Sequence, residues 1–345
     1  MAADTFKSSV SIIVPCRNEK RFIEPFIQSV LAQDLEGLEV EILIADGMSD
    51  DGTREILFQL QRQHPFIRTI NNPEKIVSTG LNRLVQEAKG EVIVRMDVHT
   101  RYAQDYVKQC VLVLYEKKVA NVGGAWRAEG KNYLQQAIAL AFQSRFSSGG
   151  ARSHSETYEG EVDSVYLGCW KKETLLKIGL FDETLVRNQD DELNLRLVRA
   201  GEKIWQSQRI RSWYSPRPSL KALLRQYAQY GYWKVRVIKK HRIPASVRHL
   251  IPGLFVATVA TLGILSAFTP MAQLMLNFVL LSYFCALLFA ALLTCCSRTT
   301  WRFFPVMPFV FGAYHLGYGY GFIRGLLDFL FLKIEASPKF QQVTR

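Results

Sequence analysis

Four short clusters hold the side chains whose types and spacing could do chemistry. In Val92-Ile-Val-Arg-Met-Asp-Val-His-Thr100 an apolar run ends in a carboxylate and an imidazole two residues apart. Leaving a strand at alternate positions, Asp97 and His99 would project to the same side, and two ligands on one side can hold a divalent cation. An oxygen donor with a nitrogen donor suits Mn2+ better than an oxygen-only set would, with Mg2+ as the other candidate. The remaining positions would fall to a diphosphate and water. In Ile44-Ala-Asp-Gly-Met-Ser-Asp-Asp-Gly-Thr53 acids alternate with glycines, so backbone can approach a planar base while Asp46 or Asp51 accepts from base or ribose donors. Ser11-Ile-Ile-Val-Pro-Cys-Arg-Asn-Glu19 ends a strand in a polar turn, where Pro15, Arg17 and Glu19 could border a ligand. The fourth cluster, Gln189-Asp-Asp-Glu-Leu-Asn-Leu-Arg196, sets Asp190 and Asp191 where one of them could take a proton from an attacking hydroxyl. Each cluster also has a plain structural reading. Asp50 or Asp51 could cap the helix beginning near Thr53, acids fit the first turn of a helix, and Asp-x-His is often a surface pair.

These residues need a scaffold, and the periodicity of the chain supplies one. Residues 10–14, 40–45, 66–70 and 91–96 read as strands, and 22–32, 53–63 and 76–89 as amphipathic helices, the last stopped by Gly90. Strand alternating with helix predicts a mostly parallel sheet covered on both faces, with ligands at the C-terminal strand ends. The first three clusters fall at such ends. From about 121 to 214 the pattern is less regular, with turn signals at Gly123, Gly149, Gly160 and Gly179 and a helix over about 190–200 closed by Gly201. Over 220–242 a long helix alternates Tyr227, Tyr230, Tyr232 and Trp233 with Arg225, Lys234, Arg236, Lys239 and Lys240, as an interfacial helix would.

Residues 250–268 and 271–296 carry no charge, and each is long enough to cross a hydrocarbon core of about 30 Å. A third apolar run, 303–322, is interrupted by Pro305, Pro308, His315 and several glycines, so it could span, re-enter or lie along the surface. A crossing would put the tail carrying Arg324, Lys333, Lys339 and Arg345 outside, against the charge bias, which favours a re-entrant or interfacial element. The chain of 345 residues has room for one α/β domain plus such an appendix, or for two ordinary domains. Its net charge of +12 favours polyanionic partners. The basic residues beside the apolar tail point to an anionic leaflet, each worth about 1 kcal/mol there. No zinc finger or aromatic RNA-binding motif supports a nucleic-acid partner. Six cysteines without metal-ligand spacing suit a reduced, cytosol-facing domain, and the opening residues give no signal-peptide pattern. The positive-inside rule places Arg242, Arg248, Arg298 and Arg302 on the cytosolic side and the turn at Thr269 and Pro270 outside.

In order and at these separations, the clusters resemble the family 2 glycosyltransferases of the GT-A fold. Val14-Pro-x-Arg-Asn-Glu19 is similar to that family's opening strand and nucleotide turn, and Asp46-Gly-Met-Ser-x-Asp-Gly-Thr53 to its uridine-binding segment. Asp97-Val-His99 stands where the Asp-x-Asp metal motif is expected. Tyr166-Leu-Gly-Cys-Trp170 leads through Gly179-Leu-Phe-Asp-Glu183 into the acids at 190–192, which resembles the acceptor segment and aligns Asp190 with the catalytic base, Asp191 being the near alternative. The His in the metal motif and the run Arg187-Asn-Gln-Asp-Asp-Glu-Leu-Asn194 resemble the bacterial exopolysaccharide glucosyltransferases of the succinoglycan type.

The resemblance implies an α/β, Rossmann-like GT-A domain over 1–219, an amphipathic interfacial region over 220–248 and a membrane domain over 249–345. It implies an inverting transfer of a hexose, glucose or a relative, from a nucleotide-diphosphate sugar, with UDP the expected carrier, to a lipid-linked saccharide at the bacterial inner membrane. Arg17 or Lys75 would help the metal neutralise the leaving diphosphate, and Asp191 and Glu192 would tend to raise the pKa of Asp190. A glycolipid or polyprenyl-phosphate glycosyltransferase is the nearest alternative. A membrane scaffold with a degenerate nucleotide site is a third reading, against which the acids Asp46, Asp97 and Asp190 argue.

Overall fold

The first four apolar runs pair side by side in parallel. The computed structural model describes residues 7–244 and 246–341. In it β1 (Ser8–Cys16), β2 (Leu38–Asp46), β3 (Ile67–Asn71) and β4 (Val92–Arg95) stand in the order β3-β2-β1-β4. The helices α1 (Ile23–Leu31), α2 (Thr53–Gln63) and α3 (Val77–Glu87) connect them. Alternation along the strands divides the core between two faces. Ile12, Val14, Ile42, Ile44 and Val94 pack with α1 and α2, while Ile13, Leu43, Ala45 and Ile93 pack with α3. Because Cys16 pairs with Asp46 and Asp46 with Asn71, these strands end level with one another. The polar turns that follow are thereby brought to one edge.

The next stretch adds β5 (Thr100–Tyr102), α4 (Tyr106–Lys117), β6 (Asn121–Gly124), β7 (Arg127–Ala128), α5 (Tyr133–Phe142) and α6 (Arg145–Ser148). Then come β8 (Gly160–Glu161), β9 (Tyr166–Lys171), α7 (Lys172–Ile178), α8 (Gln189–Arg199), β10 (Ile204–Gln206) and β11 (Ser212–Tyr214). The large sheet has the order β3-β2-β1-β4-β9-β6-β10-β8, with β9 antiparallel to both β4 and β6. A second, three-stranded sheet has the order β5-β11-β7.

The chain forms two compact units. One comprises the described residues through Arg127 together with Arg152–Tyr214. The other comprises Ala128–Ala151 with the described residues from Ser215 onward, so the linear divisions at 219 and 248 do not contain it. In this second unit α5 and α6 are tied to α9 (Leu220–His241), α10 (Ile251–Leu265), α11 (Pro270–Arg298), α12 (Met307–Leu326) and α13 (Pro338–Gln341). Tyr314 donates its hydroxyl to the Ile138 carbonyl (3.2 Å), His315 Nε2 meets the Phe146 carbonyl (2.7 Å), and Ser144 meets Thr294 (3.0 Å).

Glycines decide how α12 lies on α9. A Cβ at Gly317, Gly321 or Gly325 would stand 2.7, 1.8 or 2.7 Å from the carbonyl oxygens of Leu224, Ala228 and Tyr232 respectively. The two series advance in step, so the helices run in the same direction at backbone contact, as small residues four apart allow. Tyr232 and Trp233, expected at a membrane interface, are buried. They pack inside the unit because the chain beyond α12 covers them: both rings meet Phe329, Tyr232 stacks on Phe340, and Trp233 donates its indole N–H to the Phe340 carbonyl (3.0 Å). In α10 and α11 the outward side chains are apolar, with Leu254, Ile264, Leu274 and Phe278 all strongly exposed. The segment Val247–Leu265, which contains α10, and α11 are long and apolar enough to cross a membrane.

Candidate active site

The turns after β1 and β2 are zipped together by side chains. The Asn18 amide donates to Ser49 Oγ (2.8 Å), Asn18 Nδ2 donates to Asp50 (2.9 Å), and the Asp50 amide returns a bond to Asn18 Oδ1 (3.0 Å). The Glu19 amide donates to Thr53 Oγ1 (2.8 Å) and the Lys20 amide to Asp51 (3.1 Å). Asn18, Met48 and Lys75 all have positive φ, near +56°, +56° and +62°. Non-glycine residues are strained in that region, and such strain gathers at functional edges. The Arg17 stem lies over Gly47, 3.1 Å from where a Cβ would be.

Two acids in these turns have structural partners. Asp46, expected to accept from a nucleoside, is fully buried. It accepts from Ser49 Oγ (2.5 Å) and the Ser49 amide (3.2 Å) and pairs with Arg54 at 3.5 Å. As folded it organises the turn, because Cys16–Asp46 pairing draws it beneath the loop. Asp51 accepts from Thr53 Oγ1 (2.5 Å) as well as from Lys20. Slight burial pushes its carboxyl up, but the bonds from Thr53 and Lys20 outweigh this and hold it below the usual range. Lys75 is exposed in the turn after β3, and Pro15 is half-buried at the end of β1.

The metal-motif residues do not sit on a strand. β4 ends at Arg95, and Asp97 and His99 occupy a tight turn closed by the Thr100 amide on the Asp97 carbonyl (3.1 Å). Tyr102 pins the turn by accepting from the Asp97 amide (2.7 Å) and donating to the Asp97 carbonyl (3.1 Å). Strand alternation is therefore not what orients the pair. Asp97 faces the Arg95 guanidinium, with Nε and Nη2 each 3.3 Å from its two oxygens. His99 Nε2 lies 2.9 Å from Glu19 Oε2, so the β1 and β4 turns are joined through side chains. Among the described residues no cluster of three or more His, Cys, Asp or Glu side chains could hold a metal ion.

The acids of the fourth cluster form the first turn of α8, as the sequence suggests. Two buried links fix that helix. Asn194 accepts from Asn121 Nδ2 (2.9 Å) and donates to Ser164 (3.0 Å), and Arg196 donates to the carbonyls of Ile178 and Leu180. Glu192 is buried and held by Arg196 at 2.9 Å, which separates it in role from its neighbours. Asp190 and Asp191 remain half-buried, and Asp190 accepts the Asp191 amide (2.9 Å).

Arg95, which faces Asp97 and feels the charge of Asp190, was not singled out from sequence. Burial works against its charge, yet the carboxylates of Asp97 and Asp190 outweigh burial and raise its pKa above the ordinary value. Tyr102 and Tyr166 are pushed well above the usual tyrosine value by burial, with the Asp97 charge adding to it. Tyr166 also meets Thr100 Oγ1 (2.7 Å) and stacks on Trp126 with centroids 5.0 Å apart. The available signal was a charge inside an apolar strand, Val-Ile-Val-Arg-Met, since a buried arginine requires an anionic partner.

A mostly parallel α/β sheet with acids gathered at its strand ends, and a second acidic cluster on a later helix, defines the GT-A class of nucleotide-sugar enzymes. The Glycosyl transferase family 2 model matches residues 11–165. The chain is 31% identical over 339 residues to the succinoglycan biosynthesis protein ExoA of Rhizobium meliloti (strain 1021), covering 95% of this chain and 98% of that one. The chain therefore belongs to glycosyltransferase family 2. A dolichyl N-acetyl-alpha-D-glucosaminyl phosphate 3-beta-D-2,3-diacetamido-2,3-dideoxy-beta-D-glucuronosyltransferase of Methanococcus voltae is 25% identical, over 92% of this chain and 97% of its own. Among solved structures, the mannosyltransferase PcManGT from Pyrobaculum calidifontis, in complex with GDP-Man and Mn2+, shares the fold. Its TM-score is 0.57 at 19% identity, over 91% of this chain and 88% of that one.

Proposed function

We propose that this glycosyltransferase is an inverting enzyme that moves a hexose, glucose or a relative, from a UDP-linked donor to a lipid-linked saccharide during exopolysaccharide or cell-surface glycan synthesis. The observation that carries the reading is the buried Arg95, on which the charges of both Asp97 and Asp190 act, in a chain that follows ExoA along nearly its whole length. Donor-side and acceptor-side acids then share one electrostatic neighbourhood. The acceptor hydroxyl oxygen attacks the anomeric carbon, the bond from that carbon to the diphosphate oxygen breaks, and the hydroxyl proton passes to Asp190, with Asp191 as the alternative base. One displacement inverts the centre, so an α-linked donor gives a β-linked product.

Asp97 and His99 would hold a divalent cation, Mn2+ or Mg2+, together with the donor diphosphate. Such an ion, when bound, neutralises the charge that develops on the leaving group. The PcManGT complex with Mn2+ supports this choice. Arg17 and Lys75 add positive charge at the same edge, while Pro15, Asp46 and Asp51 shape the nucleoside side, Asp46 from beneath. A membrane preparation of the full chain, given a panel of nucleotide sugars and a lipid-extracted acceptor, tests the reading. UDP release from one donor should disappear on chelation and in Asp97→Ala. Full turnover by Asp97→Ala in excess EDTA would overturn the metal assignment. The dolichyl-phosphate relative favours a second acceptor class, a polyprenyl phosphate or glycolipid, and presenting both acceptors in the same assay separates the two.

The membrane arrangement we favour has α10 and α11 as a hairpin in the bacterial inner membrane, with the catalytic unit and Arg242, Arg248, Arg298 and Arg302 on the cytosolic side. In this reading α12 follows α9 at the interface, because the two helices run together at backbone contact and the last turn of α9 carries Lys239 and Lys240. An impermeant thiol reagent in intact cells should label a cysteine at Thr269 and spare one at Gln342, a position outside the described residues. Labelling of both would make α12 a span, and labelling of neither would remove the hairpin.

A further inference from the structure

Glu19 lies in the nucleotide turn by sequence, yet its side chain points to a metal-motif residue. The carboxylate is more than nine-tenths buried, and its Oε2 is 2.9 Å from His99 Nε2. The residue is anchored at both backbone ends. Its amide donates to Thr53 Oγ1 at 2.8 Å, and its carbonyl accepts from the amides of Phe22 (2.8 Å) and Ile23 (2.9 Å) at the start of α1. The Phe22 ring closes on the imidazole edge-on, with centroids 4.6 Å apart. A nearly half-exposed histidine is thus held by a fixed, buried acid and a packed ring.

We infer that Glu19 is a positioning residue for the cation, accepting the Nε2 proton of His99 and thereby leaving Nδ1 as the ring nitrogen that binds metal. The inference rests on the reading above, in which Asp97 and His99 carry the ion. A neutral imidazole has one protonated nitrogen and one with a lone pair, and a carboxylate on one nitrogen fixes which is which. Metal-binding histidines commonly donate their other ring N–H to a carboxylate, which sets ring orientation and strengthens the ligand. Here the ligand has one charge fewer than the second Asp of an Asp-x-Asp motif. A buried anion behind the imidazole restores part of that charge without occupying a coordination position. It also assigns Glu19 to the metal rather than to the nucleoside it adjoins in sequence.

The test is binding by the full-length protein in detergent, using Mn2+ alone followed by electron paramagnetic resonance and UDP alone in EDTA followed by calorimetry. Glu19→Ala should weaken Mn2+ about 10- to 100-fold, the usual loss when such a partner is removed. Glu19→Gln, which keeps an acceptor oxygen but no charge, should fall between Ala and wild type. UDP affinity in EDTA should stay within about twofold for both variants, which also shows that they are folded. Unchanged Mn2+ affinity with weakened UDP binding would overturn the inference, making Glu19 a nucleotide contact while the metal reading stands. If His99→Ala leaves Mn2+ binding as in wild type, the metal reading itself fails, and this inference fails with it.

Discussion

Each of the two units coheres by its own means, and the means are opposite. In the sheet-containing unit, side chains make the critical connections: Asn18 to Asp50, Glu19 to His99, Arg95 to Asp97, Asn121 to Asn194. In the helical unit the critical connection is made by missing side chains, where Gly317, Gly321 and Gly325 let α12 rest on the carbonyls of α9. Residue type therefore decides function in the first unit, and residue size decides assembly in the second. Substitutions should separate accordingly: in the first unit they should cost rate or ligand affinity, and in the second they should cost the fold.

The largest effect is expected at Asp190. Changing it to Asn keeps shape and removes the proposed base, so turnover should fall by about 10²- to 10⁴-fold, the usual contribution of a general base. UDP affinity and thermal midpoint should remain near wild type, measured on the same preparation. If Asp191→Asn is the crippling change instead, the base is the next residue along, and the comparison survives with a different name in it.

Next comes Gly321→Val, which should leave catalytic groups untouched and remove the protein. A Cβ there would sit 1.8 Å from the Ala228 carbonyl oxygen, and backbone on both sides cannot swing away. Overpacking in a core typically costs about 1–3 kcal/mol, and this case should reach or exceed the upper figure. Thermal unfolding and aggregation in detergent would show it. Gly47→Ala sharpens the contrast, because its added Cβ meets only the flexible stem of Arg17 at 3.1 Å. A midpoint unchanged by Gly321→Val would mean that α12 and α9 do not touch as described.

How much of this was legible in the sequence follows the same division. Strands β1 to β4 were readable because each is a run of β-branched residues bounded by polar turns, and α2 begins and ends at the predicted residues 53 and 63. The acids at 190–192 were correctly placed at a helix start, since charge and capping act within one turn. Strands β6, β8, β10 and β11 were not readable, because two to four residues cannot display a period of two. The partners of Asp46 and His99 were hidden for another reason: Arg54 and Ser49 are local, but Glu19 lies on a different strand end and meets His99 only once the sheet has formed. Likewise the glycines of α12 are spaced by four in plain view, yet they have meaning only against α9, and the burial of Tyr232 and Trp233 depends on Phe329 and Phe340, about a hundred residues further along the chain. Residues 128–151 joined the helical unit through Tyr314, His315 and Thr294, contacts that no local pattern announces.

A smaller effect is expected at Tyr232, which is a polar exception within the helical unit. Its hydroxyl donates to Asp328 Oδ2 (2.9 Å) and accepts from the Ser337 amide (2.9 Å), and its ring stacks on Phe340 at 4.1 Å. Asp328 is fully buried and also pairs with Arg324 at 3.0 Å. Tyr232→Phe keeps the stack and strands two buried polar groups, so it should destabilise by about 1–3 kcal/mol. Double-mutant analysis with Asp328→Asn should give a smaller combined loss than the sum, because the second change removes a group already missing its partner. Strict additivity would indicate that the two side chains do not interact.

The smallest effect is expected at Gly263, and it serves as the control that makes the glycine argument specific. This residue lies in α10, and nothing stands within 4 Å of where its Cβ would be. Glycine in a helix interior costs about 0.8–1 kcal/mol relative to alanine, through the extra freedom of the unfolded chain. Gly263→Ala should therefore be neutral or stabilising by up to about 1 kcal/mol, whereas Gly321→Ala, one helix away, should be strongly destabilising. Both variants add the same methyl group to an apolar helix, so propensity, hydrophobicity and expression effects cancel between them. What remains is the close approach of α12 to α9. Paired thermal midpoints in one detergent measure it, and equal midpoints would show that the glycines of α12 are ordinary helix residues rather than the contact surface of the unit.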